Sequence, residues 1–161
     1  MSSEPSRPAT ALATALAGAA DDAAWRDAAK AGLAQGRATL LARLQAGEAI
    51  DRLVAACCAD ADAVVRSAWS RAIPADAPLQ LLATGGYGRA ELYPMSDIDL
   101  LVLAEPDAQK RHETAIGRFF SLLWDAGLAT SHAVRSLAQC VEAAAADITV
   151  LTALMECREL A

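Results

Sequence analysis

The sequence predicts an α+β fold in which a small mixed β-sheet packs against helices. Two apolar runs of strand length, residues 79–83 and 98–103, are each bounded by turn residues. A third run, residues 128–134, follows a stretch of helical periodicity at residues 109–125. Helical spacing dominates the chain before the first run, so the sheet is expected to be preceded by a helical segment.

Residues 1–22 are predicted to be a mobile leader. They consist mainly of Ser, Pro, Ala and Thr, and apart from Leu12 and Leu16 they contain no branched aliphatic side chain. Too few apolar groups are present to anchor this stretch in a core. No function is expected there.

Residues 23–73 are predicted to be a pair of N-terminal helices. The first covers residues 23–46 and ends at Gly47, a residue type favoured just after a helix. The second covers residues 48–72, where apolar residues recur at steps of three and four. Prolines at positions 74 and 78 then end the helical segment.

Residues 74–161 are predicted to be the core that contains the sheet. After the helix at 109–125 and the third strand, Ser136 and Gln139 have the spacing of a capping box and start a short helix. Asp147 is expected to cap a last helix, residues 148–160, whose apolar side chains pack on the sheet.

Two aspartates open the second strand, and they are the first candidate site residues. Successive side chains of a strand point to opposite faces, so Asp97 and Asp99 are expected on one side and Ile98 on the other. At roughly 3.3 Å per residue the two carboxylates are about 7 Å apart, so each can reach a hard divalent cation. They can also share two metals about 4 Å apart, as in two-metal phosphoryl transfer. Mg²⁺ is the expected ion; the alternative is a solvated strand end.

A glycine-rich turn joins the first two strands. Gly85 and Gly86 directly follow the first strand, where a missing Cβ lets backbone N–H groups approach a phosphate. Arg89 adds donors suited to phosphate oxygens, and Ser96 is a further candidate phosphate contact. No Gly-Lys-Ser/Thr follows and no Gly-x-Gly-x-x-Gly occurs, which excludes a Walker A loop and a Rossmann fingerprint.

Together these motifs resemble a known superfamily. A Gly-Gly pair after a strand, followed by Asp-x-Asp on the next strand, is similar to the signature of DNA polymerase beta-type nucleotidyltransferases. Residues 85–101 resemble more closely the bacterial protein-PII uridylyltransferase/uridylyl-removing family, through the pattern Gly-Gly-Tyr-Gly-Arg-x-Glu-Leu-x-Pro-x-Ser-Asp-Ile-Asp-Leu-Leu. Matching segments downstream extend the resemblance over about residues 37–161. They are Leu123-Trp124-Asp125-x-Gly127-Leu128, His132-x-Val134-Arg135 and Asp147-x-Thr149-Val150-x-Thr152-Ala153-Leu154.

The resemblance implies a polymerase beta-like fold and transfer of UMP from UTP to a tyrosine hydroxyl of the PII signalling protein, with release of pyrophosphate. By the same resemblance, Asp97 and Asp99 would hold Mg²⁺. Gly85, Gly86 and Arg89 would then position the triphosphate.

The resemblance has two departures. Many members of the superfamily carry a third carboxylate on a later strand, whereas residues 128–134 contain no Asp or Glu. His132 and Arg135 occupy that region, either as contacts to the triphosphate or acceptor or as part of a hydrogen-bond network at the sheet edge. Family members are also several times longer, with a phosphohydrolase domain bearing a His-Asp doublet and glutamine-sensing ACT domains. No His-Asp doublet occurs here, so the chain is expected to be an N-terminal fragment without those functions.

Composition limits the partners and the compartment. A net charge of −6 argues against nucleic acid as the main partner. No apolar run has the length of a membrane span. Four cysteines without Cys-x-x-Cys spacing indicate free thiols, and the protein is expected in the cytoplasm.

Other functions stay open at the level of sequence. The same fold could carry adenylyl transfer to glutamine synthetase or another acceptor, which competition between UTP and ATP would distinguish. The chain could also be a non-catalytic fragment of the parent enzyme. A purely structural helical module would leave the spacing between the Gly-Gly pair and Asp-x-Asp unexplained.

Overall fold

A computed structural model describes residues 8–161, with side chains described from residue 11 onward. Its elements alternate between helices and short strands. In chain order they are α1 (Pro8–Ala17), α2 (Asp22–Gln45), α3 (Ile50–Ala72), β1 (Gln80–Ala83), α4 (Gly85–Gly88), β2 (Ile98–Leu103), α5 (Pro106–Arg111), α6 (Glu113–Asp125), β3 (Thr130–Arg135), α7 (Leu137–Ala146), α8 (Ile148–Met155) and β4 (Arg158–Glu159).

The four strands form one mixed sheet with the order β3-β2-β1-β4. Strand β1 pairs antiparallel with β2 on one side and with β4 on the other. Strands β2 and β3 run parallel, and helices α5 and α6 form the crossover between them. The predicted α+β class, with a small mixed sheet packed against helices, is confirmed.

One face of the sheet is covered by the helical layer of α2, α3 and α6. Ile98 on β2 is only 2% exposed, and it lies near Leu33 of α2 and Ala61 of α3. Trp69 of α3 meets Phe119 of α6 edge to face, with ring centroids 5.1 Å apart. A single cluster of buried side chains therefore extends from the N-terminal helices into the sheet.

Residues 8–17 of the predicted leader are helical and contribute to the core, while residues 1–7 lie outside the described residues. Residues 8–17 form α1, and Leu12 and Leu16 are 6% and 1% exposed in the core. Helix α1 packs on α3 and α2, where a Cβ added at Gly32 would overlap the Leu12 side chain. A small residue on α2 thus lets two leucines anchor a helix that is otherwise alanine-rich.

The capping signals that the sequence predicted are present. Gln139 N donates to Ser136 Oγ at 3.3 Å and Ser136 N donates to Gln139 Oε1 at 2.7 Å, which completes the capping box of α7. Asp147 accepts from Thr149 N at 2.8 Å as the N-cap of α8. Gly47 has φ +82° just after α2, as expected for a helix stop.

The end of the chain differs from the prediction. The last helix stops at Met155 instead of continuing to residue 160, and residues 158–159 form β4 at the edge of β1. Helix α8 contributes no buried side chain, and Ile148 and Met155 are 68% and 77% exposed. The expected packing of its apolar residues on the sheet is therefore largely absent.

The predicted helix at 109–125 is also two elements, α5 and α6, separated at His112. Helix α5 begins earlier than expected because Pro106 occupies its first turn, where a missing N–H costs no hydrogen bond. No helix within residues 8–161 combines the length and the apolar composition needed to cross a membrane.

Candidate functional site

The two aspartates lie at the start of β2, on the face of the sheet that is away from the α2–α3 layer. Asp97 is exposed just before the strand, and Asp99 is half-buried at its second position. Ile98, between them, points into the opposite, buried face. The alternation predicted from the sequence therefore places both carboxylates on one side.

The charges of the two aspartates interact. Partial burial raises the pKa of Asp99 above its ordinary value, and the nearby Asp97 carboxylate raises it further. The Ser131 side chain beside it acts in the opposite direction on the same pKa. Because the Asp97 charge raises the pKa of Asp99, a bound divalent cation would relieve repulsion between the two carboxylates.

The glycine-rich turn lies directly against Asp99. It is a single helical turn, α4, entered through Gly85 at φ +57°, a backbone conformation that favours glycine. A Cβ added at Gly85 would lie 3.3 Å from Asp99 Oδ2, and Thr84 N donates to Asp99 O at 3.0 Å. The amides of Gly85 and Gly86 are in the first turn, where a helix supplies no acceptor for them. Backbone donors and a carboxylate thus meet at one point.

A cleft of about 320 Å³ opens on the Asp99 face, between the sheet and α8. This volume is near the lower end of the range typical of small-molecule pockets. Several hydroxyl and charged groups line the cleft among small apolar side chains. They belong to Thr84, Asp99, Ser131, Arg135 and Thr149.

Arg135 is the cation of this cleft. It pairs with Leu103 on β2, four positions beyond the pair formed by Asp99 and Ser131, so it lies about 13 Å along the strand from Asp99. Within residues 8–161 its guanidinium forms no ion pair, although it is half-buried. The predicted candidate Arg135 is therefore in the cleft and available to an anionic ligand.

Two predicted phosphate contacts lie elsewhere. Arg89 Nε bonds to Glu91 at 2.8 Å, and its Nη1 bonds to the Glu156 carboxylate, so its donors are engaged within the protein. Ser96 is exposed on the loop before β2 and borders a separate cavity of about 110 Å³ that Tyr93 also lines. The Tyr93 side chain is 55% exposed.

His132 is not directed toward the aspartates. Its ring stacks on Phe120 of α6, with centroids 3.9 Å apart and planes 23° apart, and lies 5.9 Å from the ring of Trp124. On β3, His132 alternates with Ser131 and so faces the helical layer. His132 also borders the cleft, so its expected contact with the triphosphate or acceptor stays a prediction, while its ring takes part in aromatic stacking.

The donor set of the cleft fits a hard cation with few protein ligands. Within the described residues, no three His, Cys, Asp or Glu side chains come together as a metal cluster. Two carboxylates with hydroxyl groups nearby suit Mg²⁺, which commonly binds one or two carboxylates and completes its shell with water and substrate phosphates. The residues therefore fit such an ion, with Asp97 and Asp99 as its ligands.

Ser131 and Thr149 line the cleft but were not predicted as site residues. Ser131 shares a strand with the predicted candidates, but its pairing with Asp99 depends on the register of two distant strands. Thr149 lies on α8, within the segment Asp147-x-Thr149-Val150 that forms part of the family resemblance. Alternation along β3 places Ser131 and Arg135 on one face of the sheet and His132 on the other.

Comparisons with known proteins identify relatives of one kind. A bifunctional uridylyltransferase/uridylyl-removing enzyme of Xanthomonas campestris pv. campestris (strain B100) is 55% identical over 143 residues, covering 89% of this chain and 16% of the relative. The enzyme of the same name from Xanthomonas oryzae pv. oryzae (strain MAFF 311018) is 53% identical over 141 residues, 88% of this chain and 16% of the relative. That of Stutzerimonas stutzeri (strain A1501) is 46% identical over 133 residues, 82% of this chain and 15% of the relative.

The aligned segment covers most of this chain but only a small part of each relative. The chain spans about one sixth of the length of the curated relatives it matches. No family model matches the chain.

Proposed function

Because this chain is homologous to one segment of the bifunctional uridylyltransferase/uridylyl-removing enzymes, we propose that it carries nucleotidyl-transfer chemistry. The reaction proposed is transfer of UMP from UTP to a tyrosine hydroxyl of the PII nitrogen-regulatory protein, with release of pyrophosphate. One observation supports it above the others. The position of a Cβ on Gly85 is 3.3 Å from Asp99 Oδ2, so phosphate-binding amides and a metal-binding carboxylate adjoin.

In this proposal the glycine turn holds the triphosphate. The amides of Gly85 and Gly86 donate to phosphate oxygens, and the missing side chains let those oxygens approach Asp99. Fixing the α-phosphorus near the aspartates reduces the entropy lost on reaching the geometry for in-line attack. Ser96, one residue before Asp97, is proposed as a further phosphate contact.

Asp97 and Asp99 are proposed as Mg²⁺ ligands. When bound, Mg²⁺ supplies charge neutralisation on the phosphates and lowers the pKa of the attacking hydroxyl. The two carboxylates must be ionised to hold it, so the raised pKa of Asp99 makes binding weaker in acid.

Two arginines complete the proposed site. Arg135, without an ion pair in the described part of the chain, contacts the end of the substrate farthest from Asp99. Arg89 joins when phosphate oxygens replace Glu91 and Glu156, whose side chains are 53% and 37% exposed. Exposed ion pairs contribute little net stability, so this exchange costs little.

Titration calorimetry of Mg·UTP and Mg·ATP on this chain tests the proposal. Metal-dependent binding of UTP, tighter than that of ATP, is expected. The double variant Asp97→Asn/Asp99→Asn is expected to lose it. Asp107→Asn, which removes one exposed carboxylate on α5, is the matched control and should bind like the wild type.

The outcomes separate the alternatives. Tighter binding of ATP than of UTP would favour adenylyl transfer. Absence of nucleotide binding in a folded wild-type sample would favour a non-catalytic segment. Equal binding by the double variant would contradict the metal assignment.

A further inference from the structure

The residues just after α8 enclose the glycine turn. Arg158 on β4 pairs with Ala83, the last residue of β1, immediately before the turn begins. A Cβ added at Gly88 would overlap the carbonyl oxygen of Glu156, so the two backbones are in direct contact there. Glu156 also bonds Arg89 through its carboxylate. The short segment 156–158 therefore packs directly against the backbone of α4.

Arg158 reaches past the backbone to the residue in the middle of α4. Its Nη2 donates to the carbonyl oxygen of Tyr87 at 3.3 Å, and its guanidinium carbon lies 5.4 Å from the centroid of the Tyr87 ring. Tyr87 is 1% exposed, two residues after Gly85. The cation therefore holds both the main chain and the side chain of the turn.

Helix α3 provides the other half of this contact. Arg158 donates to both oxygens of Asp62, at 2.8 Å from Nη1 and 3.0 Å from Nη2. The hydroxyl of Tyr87 donates to Asp62 Oδ1 at 2.7 Å. The side chains of Arg158 and Asp62 are only 28% and 21% exposed, so removing either partner leaves a charge poorly solvated.

The ionisation of this group of three residues supports a fixed arrangement. Burial, together with the Asp62 charge, raises the pKa of Tyr87, which keeps its hydroxyl a donor. The bond to Asp62 raises the pKa of Arg158. Tyr87 and Arg158 therefore keep the same donors throughout the neutral range.

We propose that Arg158 is a positioning residue, which holds α4 through Tyr87 and Asp62 so that Gly85 and Gly86 stay beside Asp99. The nucleotide part of this inference rests on the proposed function. Arg158 does not line the cleft, and its hydrogen bonds go to Asp62 and Tyr87 rather than to Asp97 or Asp99. Its effect on the site therefore acts through the turn.

An arginine of α3, Arg66, offers a matched control. Arg66 Nη1 donates to the carbonyl oxygen of Leu160, so it anchors the same terminal segment without touching the glycine turn. If Arg158 merely fastened β4, Arg66→Met and Arg158→Met would have similar effects. If it positions the turn, only Arg158→Met changes the turn and what the turn binds.

Hydrogen exchange of the Gly88 and Arg89 amides, measured without nucleotide, tests the holding of the turn. These amides donate to Thr84 O and Gly85 O, so their exchange reports opening of α4. Relative to global stability, exchange in Arg158→Met should speed up by about tenfold, the loss expected for a charged hydrogen bond. In Arg66→Met it should change by less than about twofold.

Affinity for Mg·UTP tests the consequence. It should fall by about tenfold in Arg158→Met and remain at the wild-type value in Arg66→Met. Arg158→Lys covers the case in which Arg158→Met does not fold. It keeps a charge for Asp62 but lacks the fork that also reaches Tyr87 O, so exchange in the turn should rise while the melting temperature stays close to that of the wild type.

Equal turn exchange in the Arg158 and Arg66 variants would overturn the inference. So would faster turn exchange with unchanged affinity for Mg·UTP. If the wild type binds no nucleotide, the proposed function fails, and amide exchange alone then decides whether Arg158 holds the turn.

Discussion

Asp99 on β2 and Ser131 on β3 occupy paired positions where the sheet is parallel. Their side chains share one face and both line the cleft. Asp99 therefore has one carboxylate neighbour, Asp97, and one hydroxyl neighbour across the ladder. Two predictions concern this pair.

The first concerns the pKa of Asp99, which should be above its ordinary value in the metal-free chain. An acid with a raised folded-state pKa binds more protons when folded, so its contribution to stability falls as pH rises from 3.8 through the folded-state pKa. Metal binding has the opposite dependence, because only the ionised carboxylate is a ligand.

Carboxyl resonances followed by NMR without metal measure this pKa directly. Asp97→Asn should lower the pKa of Asp99 by removing a like charge, and Ser131→Ala should raise it. An Asp99 that titrates at its ordinary value in both variants and in the wild type would show that the three groups are farther apart than described.

The second prediction concerns Ser131→Asp. An aspartate at this position adds a third carboxylate beside Asp99, so Mn²⁺ affinity should rise by about tenfold, measured by calorimetry. Ala133→Asp is the control, because it adds the same charge on the same face one pleat farther along β3. An equal gain in both variants would mean that general electrostatic attraction, not ligation, is responsible.

Replacing two helical glycines by alanine should change the free energy of unfolding in opposite directions. Gly88→Ala pushes a methyl group into the Glu156 carbonyl and should lower the free energy of unfolding by about 1–3 kcal/mol. Gly117, on the exposed face of α6, has open space at its Cβ position, so Gly117→Ala should raise it by about 0.5–1 kcal/mol. Urea denaturation measures both changes, and a stabilising Gly88→Ala would contradict the close contact with Glu156.

Helix α1 should contribute to global stability. Leu16 is 1% exposed, so Leu16→Ala should lower the free energy of unfolding by about 2–5 kcal/mol. Leu41→Ala is the control, because Leu41 on α2 is 56% exposed and its truncation should change stability by less than about 0.5 kcal/mol. Urea denaturation measures both free energies of unfolding. If Leu16→Ala lowers the free energy of unfolding no more than Leu41→Ala does, α1 is not packed on the core in solution.

Local signals account for what the sequence predicted well. The apolar run of β2, the Ser136–Gln139 capping box and the Asp147 N-cap each depend on residues within a few positions of one another. The same applies to the shared side of Asp97 and Asp99, which follows from strand alternation alone.

The errors depend on distant contacts. Strand β4 has two residues, too few to show any periodicity, and it exists because β1 offers a free edge. The bond between Arg89 and Glu156 joins residues 67 positions apart, so the local sequence around Arg89 does not indicate it.

During ribosomal synthesis the glycine turn is made earlier than Arg158, the residue proposed to hold it. Tyr87 precedes Arg158 by 71 positions. At about 5–20 residues per second, the turn leaves the ribosome about 4–14 s before the arginine that holds it. At the start of that interval neither partner strand of β1 has been synthesised. Later β2 is available for pairing, but β4 is not. The support of the glycine turn is therefore completed only after β1, β2 and β3 have been synthesised.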